Sequence, residues 1–137
     1  MNVISDDAKL ISRLGNEPSW CIITATVEAE GAHDCPANIA ATNRLWSTLA
    51  DRGYDYVMVG GQWAGVDQGV SFLVFDISPV VSLSLGRDFR QDSVVTDRGL
   101  VECTNGLVLS AFARVSVATA DAINFTTLPG GTRIVLS

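Results

Sequence analysis

Apolar positions along this chain change their period several times, and each change marks an element. From Asp6 to Leu14, Ala8, Leu10, Ile11 and Leu14 recur at helical spacing and Gly15 follows as a stop, which predicts a short helix. Trp20 to Val27, rich in Ile and Thr, predicts a strand, and the polar stretch from Glu28 to Asp34 with Gly31 predicts a loop. Between Pro36 and Arg52, Ile39, Thr42, Leu45, Trp46 and Leu49 fall on one helical stripe. Proline suits the first turn, where its missing N–H would have no partner, and Gly53 supplies a left-handed stop. Tyr54 to Val59 predicts the next strand, and Gly60 to Gly69 a loop carrying Gln62, Trp63 and Asp67.

Phe72 to Ile77 is apolar on both alternating faces, which predicts an interior strand. Ser78-Pro79 then opens an amphipathic helix that runs to Phe89. From Ser93 onward only short β-like runs remain, separated by turns at Asp97-Arg98-Gly99, Asn105-Gly106 and Leu128 to Gly131. Asn105-Gly106 is a two-residue hairpin signal, because both residues tolerate positive φ. Thr119 to Ile123 reads as one helical turn, and Thr132 to Leu136 as the last strand. The expectation is one α+β domain over residues 1–137. Its β-α-β-β-α-β core carries two main helices on one sheet face, and a C-terminal antiparallel β-meander follows.

Charge narrows the functional classes. The net charge is −6, and the nine basic residues are scattered rather than gathered on a run. A protein that grips nucleic acid non-specifically needs a basic face, so that class is excluded. Lys9 is the only lysine, and the other basic residues are arginines, whose planar fork suits carboxylate or phosphate. Apolar content of 47% supports one core, while no apolar run approaches the roughly 20 residues of a membrane span. Asp6 and Asp7 stand where a secretion signal would carry positive charge, so a cytoplasmic protein is expected. Cys21, Cys35 and Cys103 form no CxxC pair, and three cysteines leave one unpaired, as in a reducing compartment.

No residue pattern names a reaction. His33 and Cys35 share a polar loop without metal-ligand spacing, so no metal and no cofactor are expected. Asp76 interrupts an apolar strand, which suggests a helix-capping aspartate or a partner for Arg87 or Arg90. Arg87 and Arg90 lie three apart, on one face if the helix continues, and with Gln91 they form the best anion-recognition candidate. Trp63, with Gln62 beside it on the glycine-rich segment, is the candidate lid that stacks on a ring.

Several segments together resemble an uncharacterised family of small bacterial and bacteriophage proteins over roughly residues 20–110. They are Asn38 at a helix start, Arg52-Gly53-Tyr54 at its end, Trp63, Ser-Phe-Leu-Val from Ser71, Leu-Gly-Arg-Asp-Phe from Leu85, and Gln-Asp-Ser-Val-Val from Gln91. Arg90 stands where that family pattern implies glycine, and the last 25 or so residues have no counterpart. The resemblance implies a phage or bacterial setting and no particular reaction. The functional expectation is a non-enzymatic small-ligand-binding protein. In a phage setting it would be a counter-defence factor sequestering an anionic, nucleotide-like signal through Arg87, Arg90, Gln91, Trp63 and Gln62. The alternatives are a protein-interaction or inhibitor module and a small metal-dependent hydrolase or nuclease. Short strands with open edges add the expectation of a homo-oligomer, a dimer.

Overall fold

The computed structural model describes residues 3–112 and 114–137. In chain order the elements are α1 (Val3–Asn16), β1 (Cys21–Thr24), α2 (Pro36–Asp51), β2 (Asp55–Trp63), β3 (Val66–Phe75), α3 (Pro79–Asp88), β4 (Ser93–Thr96), β5 (Gly99–Glu102), β6 (Val108–Ala111), β7 (Val115–Val117), β8 (Phe125–Thr127) and β9 (Arg133–Leu136). The chain is α+β, and among the described residues nine strands form one sheet in the order β6-β5-β4-β1-β3-β2-β8-β9-β7. Every neighbouring pair in that sheet is antiparallel.

β3 lies between β1 and β2, with Ile23 opposite Phe72 on one side and Met58 opposite Phe72 on the other. Its alternation explains the unbroken apolar run. Phe72 and Val74 meet Leu45 and Leu49 of α2 and Leu85 of α3, whereas Leu73 and Phe75 point to the other face, toward Leu10 and Leu14 of α1. The helices therefore divide two to one across the sheet. The Asp6 to Leu14 pattern is the core of a longer helix that packs on part of the second face.

The helix ends follow from local chemistry. Pro36 opens α2, and the buried Asn38 amide holds the preceding loop: Oδ1 accepts from Val27 N–H at 2.9 Å, and Nδ2 donates to Ala32 O at 2.9 Å. Gly53 (φ 74) ends that helix, with Tyr54 N–H reaching back to Leu49 O at 3.1 Å. Ser78 caps α3, its Oγ accepting from Val81 N–H at 3.2 Å. That hydroxyl does the work assigned to Asp76. Asp76 itself is exposed beyond the end of β3, where the chain turns at φ 53.

Two segments depart from the sequence reading. Gly60 to Gly69 is not a loop: β2 and β3 continue through it as a hairpin whose Ala64-Gly65 tip has φ 51 and 79. Glycines that read as breakers instead sit in the ladder, with a register shift between Gly61 and Gln62. The C-terminal strands are also not one meander. β5 and β6 extend the β4 end of the sheet, and the chain then crosses to add β8, β9 and β7 at the open edge of β2. The Asn105-Gly106 signal does lie between β5 and β6, but the connection spans residues 103–107 rather than two residues. Thr119 to Ile123 is a turn, not a helix, with Ala122 N–H bonded to Thr119 O at 3.2 Å.

Candidate functional site

Curling brings the two ends of the sheet to one cleft. Leu10 and Leu14 of α1 cover part of the concave face with Trp20, Leu73 and Phe75 beneath them. The rest stays open as a cleft of about 350 Å³, within the range of small-molecule sites. Ile22, Thr24 and Ser71 belong to its central strands, Leu100 and Ser110 to one end of the sheet, and Phe125, Thr126 and Val135 to the other.

Among the described residues, the lining contains no Lys, Arg, Asp, Glu or His. Hydroxyls come from Thr24, Ser71, Ser93, Ser110 and Thr126, and flat apolar surface from Trp63, Phe112 and Phe125. Four side-chain amides complete it: Gln62, Gln68, Gln91 and Asn124. Each is oriented by a backbone contact. Gln91 Nε2 donates to Thr26 O and Phe89 O, both at 3.1 Å; Gln62 Nε2 donates to Ile123 O and Gln68 Nε2 to Val66 O, each at 3.2 Å. Those glutamines keep their carbonyl oxygens as acceptors, and Gln62 and Gln68 each keep one Nε2–H as a donor. Asn124 is turned the other way, its Oδ1 accepting from Ala64 N–H at 2.6 Å, which leaves Nδ2 as a donor.

Gly60 and Gly61 leave bare backbone in the cleft wall. At Gly61 neither sterics nor conformation asks for glycine. Its φ is not positive, and an added Cβ would meet Ser71 Oγ at 3.6 Å, an ordinary contact. The missing side chain leaves that part of the cleft unfilled.

Of the five residues proposed from sequence, Gln62, Trp63 and Gln91 line this cleft, and Arg87 and Arg90 do not. Helix α3 ends at Asp88, so the shared face expected for the two arginines is lost. Arg87 Nη1 donates to Cys103 O at 2.6 Å, and Arg90 Nη1 pairs with Glu30 Oε1 at 2.7 Å. Trp63 is half exposed, but it ends a strand rather than riding a mobile loop. The hairpin tip is fastened by Gly65 N–H to Ile123 O at 3.2 Å and by the Asn124 contact. Phe112, Asn124 and Phe125 escaped sequence reading because they come from parts of the chain that only the folded sheet brings together. The one legible signal was a glycine pair inside a β-like run.

Elsewhere, His33 Nε2 lies 3.6 Å from Asp67 Oδ2, and Cys35 Sγ is 3.6 Å from Glu30 O. Among the described residues no group of three or more His, Cys, Asp or Glu could hold a metal ion. Burial pushes the Cys21 thiol up to about 12 and raises that of Cys103, so neither is an activated nucleophile. No helix among the described residues is long and apolar enough to cross a membrane. No family model, curated protein or solved structure matches the chain.

Proposed function

We propose that this is a non-enzymatic binding protein that holds a small, uncharged, ring-bearing molecule rich in N–H and O–H donors. The observation that carries this reading is the cleft's lining among the described residues: no ionisable side chain, three aromatic rings, and glutamine amides whose oxygens are left as acceptors. An anion would enter such a site without a counter-charge, in a chain of net charge −6. A neutral nucleoside-like ring keeps the ring-stacking part of the sequence expectation without its phosphate. In the phage setting that the family resemblance implies, the protein would sequester its ligand rather than transform it.

Titration of the protein with adenosine, guanosine, cytidine and uridine, each beside its monophosphate, tests the reading through tryptophan fluorescence and calorimetry. A neutral nucleoside binding more tightly than its monophosphate, with the fluorescence change lost in Trp63→Leu, is the expected result. A monophosphate that binds more tightly, and loses its affinity in Arg87→Ala or Arg90→Ala, would overturn it in favour of anion recognition.

A further inference from the structure

Among the described residues, the two outer strands of the sheet, β6 and β7, are its open edges. In β6 every residue is exposed, on both faces, and Leu107, Val108 and Leu109 stand at 59%, 44% and 51% exposure in a row. Charge, proline, shortness and bulges are the devices that blunt such an edge. β6 is four residues long and has Leu109 opposite no residue of β5, but it carries neither charge nor proline. Residues 103–113 form an uncharged, proline-free run in a chain of net charge −6.

We propose that β6 is a self-association edge, where two copies of this chain pair antiparallel about a two-fold axis and extend the sheet across both. A second copy is the occupant because an antiparallel edge is complementary to itself: rotation by a half-turn sets its outward N–H groups against its own outward carbonyls. Charge selects the same place. Copies that repel one another through net negative charge meet at least cost along a segment without charge, and Leu107, Val108 and Leu109 then cover their counterparts. A four-residue strand buries less than the roughly 1,200 Å² of a standard interface, so the dimer is weak, dissociating at about 0.1–1 mM. This proposal is independent of the ligand reading.

Sedimentation of the wild-type chain across that concentration range should shift from the 14.6 kDa species toward twice that mass. Val108→Lys and Leu109→Lys should stay monomeric at every concentration while melting as the wild type does. Hydrogen exchange supplies a second reading on the unaltered protein, since amides of β6 should slow with rising concentration while those of β7 do not. A chain that stays monomeric throughout overturns the proposal. So does a dimer that persists in both lysine variants, or one that forms without protecting β6. Should a lysine variant fold poorly, the exchange pattern of the wild type decides alone.

Discussion

Arg90 and Glu30 meet at 2.7 Å across the gap between the end of α3 and the loop before α2, and Arg90 does so from left-handed backbone at φ 59. The conformation belongs to a helix stop. Arg90 N–H bonds to Arg87 O at 3.1 Å and Gln91 N–H to Gly86 O at 2.8 Å, the paired closure in which glycine normally occupies the left-handed position. Glycine is the residue this backbone favours. The arginine exchanges that ease for an ion pair on the surface.

Arg90→Gly should therefore melt at or above the wild-type temperature. Relief of the left-handed strain is worth about 1 kcal/mol, and an exposed ion pair contributes about 0–1 kcal/mol. Arg90→Ala keeps the strain and loses the pair, so it should melt below Arg90→Gly. Thermal unfolding of the two variants side by side checks the order, and an alanine variant more stable than the glycine one would contradict it.

Asp7 should set part of the acid sensitivity. Its carboxylate is buried on α1 and accepts from Gly130 N–H at 2.8 Å and Thr132 N–H at 3.2 Å, fixing the β8–β9 turn. Burial acts to raise its pKa, but the hydrogen bonds from Gly130 and Thr132 outweigh it, and the net shift is downward. A depressed carboxylate stabilises the fold above its unfolded value, near 3.9, and that share is lost as pH falls through the folded value. Asp7→Asn should cost about 1–3 kcal/mol at pH 7, and its deficit against wild type should shrink below about pH 4. Urea unfolding at both pH values measures this; a constant deficit would mean that the carboxylate's charge contributes nothing.

Thiol reactivity should divide two to one. Cys21 and Cys103 are buried with raised pKa values, whereas Cys35 is part-exposed. A thiol-specific chromogenic reagent at pH 8 should modify one of the three cysteines in the folded protein and all three in denaturant. Fast labelling of Cys21 in the native state would show that the face beneath α2 and α3 opens readily.

Filling the cleft at Gly61 should separate binding from folding. Gly61→Ala adds one Cβ at van der Waals distance and should melt at or slightly above the wild type, as alanine restricts the unfolded chain more than glycine. Gly61→Val extends further into the cleft and should abolish the nucleoside-induced fluorescence change while remaining folded by circular dichroism. Retained binding in the valine variant would place the ligand elsewhere.

Most elements were legible because punctuation was clear. Pro36 with Gly53 and Ser78-Pro79 bracketed two helices almost to the residue, and the double-faced apolarity of Phe72 to Ile77 marked a central strand, which ends at Phe75. The glycines of Gly60 to Gly69 misled, because the same residue that breaks a loop free also permits a bulge and a tight hairpin tip. The arginines misled for a related reason. Helical spacing places Arg87 and Arg90 together only while the helix lasts, and it ends between them. The cleft itself was illegible, since its walls run from Ile22 to Leu136 and no local pattern encodes how far a sheet curls.

The crossing from β6 to β7 divides the labour of this molecule. The strands from β1 to β4 are braced by helices on their faces, whereas β8 holds to β2 through three paired positions and carries β9 and β7 beyond it. The β8 side is tied into the core at particular residues, Leu128 and Ile134 beneath α1, rather than along its whole length. Substitutions at Asn124, Phe125 and Thr126 could accumulate without endangering the core. On the proposed reading, a lineage built on this plan would change its ligand at Asn124, Phe125 and Thr126, while Leu128 and Ile134 of the same segment stay fixed as core.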